Sequence, residues 1–216
     1  AIGGYAGVDC GNITIQGNVI KSVISSGAGA CIGGASNRSA GSITISNAKL
    51  PPLNGTSLIG WIRGNTAGSL TIQNCYIEST DTAAGSGIQV SDNGNIRIEN
   101  SEVKLPEKRD IRAGDGGSIV IHDSTIHSNG IYMLGNLNEA KKLKRLEITG
   151  STVVTAGNVI GAMGSRASVD EIVIHGSSLS PAEGADHYYA IGGGEYASFG
   201  SIDIQGSQIN IPLASK

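Results

Sequence analysis

Short segments of alternating apolar and polar residues recur along the chain at a nearly constant interval. Each segment contains an apolar residue, one residue of variable type and an isoleucine, followed two positions later by Gly, Asn or Asp. Eight segments follow this pattern, namely GNITIQGNVI, GSITISNAKL, GSLTIQNCYI, GNIRIENSEV, GSIVIHDSTI, KRLEITGSTV, DEIVIHGSSL and GSIDIQGSQI. They begin 23 to 30 residues apart, and a period of this size is typical of solenoids built from stacked repeats.

The two apolar residues of each segment lie two positions apart, which predicts a β-strand with both side chains on one face. We call this the first strand of the repeat. We predict that the second apolar residues form one continuous interior stack, which consists of Ile15, Ile45, Ile72, Ile98, Ile121, Ile148, Ile174 and Ile204.

A turn and a second strand follow each first strand. Gly, Asn and Asp tolerate left-handed backbone angles, so the residue two positions after the isoleucine predicts a turn. The turn residues are Gly17, Asn47, Asn74, Asn100, Asp123, Gly150, Gly176 and Gly206. Three residues later stands the inward apolar residue of the second strand, which is Ile20, Leu50, Ile77, Val103, Ile126, Val153, Leu179 or Ile209.

A third strand precedes each segment and is plainest in AIGGY, CIGGA, LIGWI, VIGAM and AIGGG. Its predicted inward residues are Ile2, Ile32, Ile59, Ile88, Ile111, Ile131, Ile160 and Ile191. Three short strands per repeat predict an all-β fold, a right-handed parallel β-helix (β-solenoid) of eight coils. A left-handed helix would show a strict hexapeptide period, which the sequence lacks. We expect residues 1–216 to form a single β-helix domain that is a fragment of a larger multidomain chain.

The composition favours a long, thin core over a thick one. Aromatic residues make up 4% of the chain and glycine occupies 33 positions, so the interior must consist of aliphatic residues between tight turns. The formal net charge of −3 provides no electrostatic footprint for nucleic acid, which we exclude as a main partner. The sequence has no apolar run of about eighteen residues, so we expect no membrane insertion.

The three cysteines, Cys10, Cys31 and Cys75, are an odd number and fit no paired metal-binding spacing. We predict that they are small buried residues and that none forms a disulfide. We expect neither a metal nor another cofactor.

The repeat departs from its own consensus in the middle of the third-strand column. The position after the third-strand isoleucine is glycine in the outer coils, but it is Gln89, Arg112 and Tyr132 in the middle ones. We predict a ligand-binding groove at this centre, formed by Arg63, Gln89, Asp92, Arg112, Asp115 and Tyr132. Glycan hydroxyl groups would need its alternating donors and acceptors, and sugar rings would need an aromatic plane such as Tyr132. The alternative is a set of solvated side chains without a ligand.

Trp61 also falls in a third strand, and the pattern does not decide whether its ring points inward or outward.

A second departure is the segment GNLNEAKKLKRLEI, which lengthens one coil. We predict a helical turn there, with Leu137 and Leu143 covering the core. We expect this segment to be a solvated insertion, and a docking patch for an acidic partner is the alternative. Elsewhere, Glu78 and Lys104 occupy one outward column on adjacent coils, so we expect them to form an exposed ion pair.

The pairing of xIGGx with GxITIxx, as in CIGGA…GSITISN and AIGGG…GSIDIQG, resembles glycine-rich β-helix repeats of bacterial surface, adhesin-like, carbohydrate-binding and secreted effector proteins. The resemblance covers nearly the whole chain. It implies a secreted or cell-surface location, with an export signal outside this segment. It also implies a glycan or a host or partner protein as the binding partner, together with flanking domains of the same chain.

We therefore expect a non-catalytic binding or scaffold module that recognises its partner along one face of the solenoid. A polysaccharide lyase or hydrolase is one alternative and would need clustered carboxylates, for which Asp92, Asp115 and Arg112 are the only candidates. A substrate-recruiting or spacer domain of a secreted effector or toxin is another. An ice-binding solenoid is excluded, because its outward threonine column ends after Thr14, Thr44 and Thr71.

Overall fold

A computed structural model describes residues 2–4, 9–24, 30–34, 41–55, 57–60, 68–82, 85–135, 138–157, 159–185 and 190–210. Every regular element in these ranges is a β-strand, and every pair of neighbouring strands is parallel. Among the described residues, no helix has the length and apolar character needed to cross a membrane.

The first and third strands of the repeat form two eight-stranded sheets. The first-strand sheet contains β2 (Ile13–Gln16), β5 (Ile43–Ser46), β8 (Leu70–Gln73), β11 (Asn95–Glu99), β14 (Ser118–His122), β17 (Lys141–Thr149), β20 (Ala167–His175) and β23 (Ser198–Gln205). The third-strand sheet contains β1 (Ile2–Gly3), β4 (Ala30–Gly33), β7 (Ser57–Gly60), β10 (Gly85–Gln89), β13 (Arg109–Ala113), β16 (Ile131–Leu134), β19 (Ile160–Met163) and β22 (Ile191–Gly193).

The second strands form a shorter sheet. It contains β9 (Tyr76–Glu78), β12 (Glu102–Lys104), β15 (Thr125–Ser128), β18 (Thr152–Thr155), β21 (Ser178–Pro181) and β24 (Gln208–Ile209). In the first two coils, β3 (Val23–Ile24) and β6 (Leu53–Asn54) form a separate two-stranded sheet. The predicted fold, a right-handed parallel β-helix, is confirmed. All three continuous sheets run together for about six coils, however, so the prediction of eight equivalent three-stranded coils was too regular.

The interior stack has the predicted register. Ile15, Ile45, Ile72, Ile98, Ile121, Ile148, Ile174 and Ile204 pair with one another along the first-strand sheet. The six internal members are fully buried, while Ile204 is only partly buried at the end of the sheet. Burying one such side chain contributes roughly 1.5 to 3 kcal/mol, so the stack is a main source of the stability of the fold.

The turn residues also have the predicted conformation. Asn47, Asn74, Asn100 and Asp123 have φ values between 45° and 53°. Gly17, Gly150, Gly176 and Gly206 occupy the same left-handed region at the equivalent positions. The residue types at this position are therefore explained by one turn that is repeated in every coil.

A ladder of serines, buried except for the last one, follows the turn and was not recognised in the sequence. Its members are Ser101, Ser124, Ser151, Ser177 and Ser207. Each hydroxyl oxygen accepts a hydrogen bond from the backbone N–H of the equivalent residue in the preceding coil, at 3.0 to 3.1 Å. Each hydroxyl also donates to the carbonyl oxygen two residues earlier in its own coil. The ladder thus ties each turn to the next one.

The helical turn predicted near residue 140 is wrong. Lys141, Lys142 and Leu143 belong to β17 and pair with Ala167, Ser168 and Val169 of β20. The reason is that β20 extends equally far, so a strand satisfies backbone groups that a single helical turn would leave unpaired. Leu143 is fully buried, as predicted, whereas Leu137 lies outside the described residues.

The three cysteines are free, as predicted. Cys31 and Cys75 are buried, and Cys10 is half-buried. Cys75 stands where the later coils have the ladder serine, and its Sγ lies 3.1 Å from the carbonyl oxygen of Gln73. Burial raises the pKa of the Cys75 thiol, which keeps it in the protonated form that can donate to this carbonyl.

Candidate functional site

The predicted column at the centre of the third-strand sheet exists. Gln89 pairs with Gly60 on one side and with Arg112 on the other, and Tyr132 follows Arg112 in the next coil. The column then returns to glycine at Gly161. Arg63 and Trp61 lie outside the described residues, so the cluster consists here of the other five predicted side chains.

Tyr132 does not present an open ring face. Its side chain is 2% exposed, so the expectation that it stacks on a sugar ring from solvent is wrong. Burial, together with the nearby Asp110 carboxylate, raises the pKa of the Tyr132 hydroxyl well above its usual range. Tyr132 is therefore a neutral, buried hydrogen-bonding group.

Arg112 and Gln89 belong to a network of side chains that contact one another. Arg112 Nη2 donates to Ser86 Oγ, which in turn donates to Gln89 Oε1. Arg112 Nε lies 3.8 Å from Asp110 Oδ2. Sequence analysis missed Ser86 and Asp110, although Asp110 stands two residues before Arg112 and so shares its side of β13. These polar atoms hold adjacent coils together more than they offer contacts to a ligand.

Asn129 completes this network on the far side, because its Nδ2 donates to Asp110 Oδ1 at 3.0 Å.

Asp92 and Asp115 lie at the corner between the third-strand and first-strand sheets, where they bind backbone groups. Asp92 Oδ1 accepts a hydrogen bond from the N–H of Asp115 at 2.9 Å, and Asp115 Oδ1 accepts one from the N–H of Lys142 at 2.6 Å. Lys141 Nζ forms an ion pair with Asp92 Oδ2 at 3.0 Å. This arrangement links turns of successive coils and engages the carboxylates that a lyase or hydrolase would require. Among the described residues, no group of three or more His, Cys, Asp or Glu side chains is arranged to hold a metal ion.

Three of the four basic residues of β17, namely Lys141, Lys142 and Arg145, form ion pairs within the chain. The Asp92 carboxylate raises the pKa of Lys141 by hydrogen bonding, and Lys142 pairs with Asp170 at 3.3 Å. Arg145 pairs with Glu147 at 2.8 Å and also with Glu171. The alternative of a docking patch for an acidic partner therefore loses most of its free positive charge.

The expected ion pair between Glu78 and Lys104 does not form, although the two residues are register neighbours. Lys104 Nζ binds Glu102 Oε1 at 2.6 Å, on its own strand. Glu78 instead accepts a hydrogen bond from the hydroxyl of Tyr76 at 3.0 Å. The prediction of the column was right, but the choice of partner depends on other side chains around it.

An open depression of about 810 Å³ runs along the corner between the first-strand and second-strand sheets. We call it the corner trough. One side of it is formed by the exposed turn residues Asn47, Asn74, Asn100 and Asp123. The other side is formed by the residues two positions later, which are Lys49, Tyr76, Glu102 and Thr125.

The amides of the corner trough are accessible from solvent. Asn74 Nδ2 donates to Asn47 Oδ1 at 3.0 Å, which orients this pair. The Asn100 side chain is exposed and makes no side-chain hydrogen bond to another described residue. A row of neutral groups that both donate and accept is suited to ligand hydroxyl groups.

Tyr76 is the aromatic residue of the corner trough. It is half-buried, and two lysines of the neighbouring coils approach its ring. Lys49 Nζ is 5.0 Å and Lys104 Nζ is 5.3 Å from the ring centroid, which is within the range of cation–π attraction. The hydrogen bond to Glu78 raises the pKa of the Tyr76 hydroxyl. Tyr76 therefore keeps its hydroxyl protonated and its ring in a defined orientation.

Sequence analysis missed the corner trough. It read Asn47, Asn74 and Asn100 as turn formers and attached no meaning to their amides. The available signal was that asparagine, rather than glycine, occurs at this turn in three consecutive coils, with Tyr76 two residues beyond the middle one.

Comparison with known proteins agrees with the geometry. The family model described as the right handed beta helix region matches residues 6–179. Comparisons with curated proteins and with solved structures find no match. The match spans most of the chain and coincides with the observed parallel sheets, so this chain belongs to the right-handed β-helix family.

Proposed function

We propose that this chain is a non-catalytic carbohydrate-binding module of a bacterial secreted or surface protein, and that a glycan binds in the corner trough. The observation that carries the proposal is a row of exposed amides in consecutive coils that lies beside one half-buried aromatic ring. Sugars are bound by side chains that exchange hydrogen bonds with hydroxyl groups and by ring faces that cover their apolar C–H groups. The corner trough supplies both.

The central third-strand cluster is a weaker candidate for this role. Its tyrosine is buried, and its arginine and carboxylates already bind neighbouring protein groups. A ligand would have to break several of these internal hydrogen bonds before making its own, and each broken bond opposes binding. We assign this cluster to holding the middle coils together.

The secreted or surface location is part of the proposal and rests on the resemblance of the glycine-rich repeats to those of bacterial surface and effector proteins. Within such a protein the rigid rod also serves as a scaffold that holds the corner trough at a fixed distance from the flanking domains. The shallow site leaves much of a bound glycan in water, which limits the dissociation constant to the order of 10⁻⁴ to 10⁻⁵ M.

The test is a glycan array followed by calorimetric titration of the best ligand against wild-type protein, Tyr76→Ala and Tyr196→Ala. Loss of the Tyr76 ring should weaken binding about 3- to 10-fold, since an aromatic contact contributes roughly 1 kcal/mol. Tyr196→Ala is the matched control, because Tyr196 is 77% exposed and lies in the turn between the third-strand and first-strand sheets. It should bind like the wild type. Thermal melting of both variants checks that the fold is retained.

A protein-partner array and an analysis of the sugar products accompany the glycan array, because the other functions predict different outcomes. Unsaturated or new reducing sugar ends in the products would replace the proposal by a polysaccharide lyase or hydrolase. A protein ligand, with no glycan bound, would make the chain a protein-binding scaffold of the effector type. Equal affinities of the wild type and Tyr76→Ala would show that the glycan does not bind in the corner trough.

A further inference from the structure

The corner trough has a direction and two ends. Its two columns run from coil to coil, since Lys49, Tyr76, Glu102 and Thr125 are register neighbours in that order. The turn residues follow the same order, because the N–H groups of Asn47, Asn74 and Asn100 each bond to the strand end of the following coil. The trough therefore runs parallel to the axis of the solenoid.

The polar column of the trough is limited by glycine. Gly17 precedes Asn47, and Gly150, Gly176 and Gly206 follow Asp123 at the same turn position. A glycine has no side chain to offer, so the ladder of turn side chains covers four consecutive coils. Asn18 also lines the trough beside Gly17, but its Oδ1 already accepts a hydrogen bond from the N–H of Lys49. Adjacent coils are about 4.8 Å apart, which makes the ladder about 14 Å long between its first and last members.

The charges in the trough do not share one sign. Lys49 stands at one end and Asp123 at the other, while Glu102 between them is already paired with Lys104 at 2.6 Å. Asp123 Oδ2 lies 3.0 Å from the imidazole of His122. A regular acidic or basic polymer would meet attraction at one end of the trough and repulsion at the other. The chemistry of the trough fits an uncharged chain rich in hydroxyl groups.

From these observations we infer that the corner trough binds a linear, uncharged glycan that lies parallel to the solenoid axis, with one polar contact per coil. This inference rests on the proposed carbohydrate-binding function and adds the class and orientation of the ligand. Affinity increases with oligosaccharide length, because each additional sugar reaches the next coil without a further loss of translational freedom. The increase ends at about four sugars, where the ladder ends.

The experiment titrates the protein with neutral gluco-, manno-, xylo- and N-acetylglucosamine oligosaccharides of two to about eight residues. Oligogalacturonides of the same lengths serve as acidic probes. For the neutral series that binds, the dissociation constant should fall by roughly 3-fold per added sugar up to about four, as expected for one weak hydrogen-bonding contact per step. Longer oligomers should bind no more tightly.

Asn100→Gly tests the ladder without straining the turn, since glycine occupies the equivalent position in four other coils. Loss of the Asn100 amide should weaken the binding of the longest oligomers about 3- to 10-fold. It should also reduce the gain in affinity from short to long oligomers. Asn93→Gly is the matched control, because Asn93 is also exposed with a positive φ of 59° but lies at another corner of the solenoid. It should bind like the wild type.

Each outcome separates the two proposals. If neutral glycans bind with the same affinity at every length, or if Asn100→Gly keeps the full length dependence, the ladder is wrong while the carbohydrate-binding function stands. Binding of the acidic series alone would overturn the inferred ligand class. If none of these oligosaccharides binds and the glycan array is also blank, the proposed function itself fails.

Discussion

Glycine is required by backbone geometry in those coils where it occupies the column after the third-strand isoleucine. Gly33, Gly60 and Gly161 have φ values of 137°, 109° and 144°, a region that residues with a Cβ atom rarely adopt. A Cβ atom on any of the three would lie 2.0 Å or less from a carbonyl oxygen of the next coil. The glycines therefore permit a close approach of neighbouring coils.

Replacing Gly60 by alanine should lower the free energy of unfolding by about 3 kcal/mol or more, at the upper end of single-residue effects. The added Cβ atom would lie 1.7 Å from the carbonyl oxygen of Gln89, so the two coils would have to separate. Urea unfolding measures the change. Gly176→Asn is the control, since a Cβ atom there meets nothing within 4 Å and asparagine occupies the same turn in three other coils. Equal stability of the two variants would contradict the close approach at Gly60.

At the scale of the element, the first-strand turn is held by side chains as well as by backbone bonds. The serine ladder gives the buried N–H groups of Ser101, Ser124 and Ser151 an acceptor in the following coil. The asparagine ladder on the outside of the same turn is exposed. One turn thus uses its inner side chains for stability and leaves its outer side chains free for contacts.

Ser124→Ala should destabilise the protein by about 1 to 3 kcal/mol, because the buried N–H of Ser101 loses its acceptor. Alanine fits the site sterically, as Ala48 stands at the same position in an earlier coil. Ser42→Ala is the control, since Ser42 is exposed and no hydrogen bond of its hydroxyl is found among the described residues. Chemical denaturation of both variants provides the measurement. A Ser124 variant as stable as the Ser42 variant would show that the ladder contributes nothing.

At the scale of the whole molecule, the fold is a one-dimensional stack. Each coil pairs with the coils before and after it, so the stability of a residue depends on whether it has neighbours on both sides. Internal isoleucines of the stack are fully buried, whereas Ile202, Ile204 and Ile209 of β23 and β24 are only partly buried. A cavity in the middle of the rod therefore costs more than the same cavity near its end.

Ile121→Ala should reduce the free energy of unfolding by about 2 to 5 kcal/mol, as large deletions from packed cores do. Ile121 is fully buried between Ile98 and Ile148. Ile204→Ala, the same change in the same stack, should cost about half as much, because Ile204 is only partly buried. Differential scanning calorimetry compares the two. A larger loss at Ile204 would contradict the stacking order.

The sequence by itself determined the architecture. The two-residue spacing of the interior isoleucines and the turn former two positions later recur in every coil, and both act through local backbone geometry. The registers of Ile121 and its neighbours and the positive φ of Asn74 and Asn100 were therefore predictable. The same local reasoning placed Gln89, Arg112 and Tyr132 in one column.

Only the tertiary structure decided what these side chains contact. Tyr132 is buried, Lys104 prefers Glu102 over Glu78, and residues 141–149 form a strand rather than a turn of helix. The tertiary structure also places the amides of Asn74 and Asn100 in one open trough with Tyr76. Burial and the choice of contact partner depend on residues one coil away, some 23 to 30 positions along the chain. A repeat pattern specifies which residues are neighbours, but it does not specify which of several neighbours forms the stronger contact.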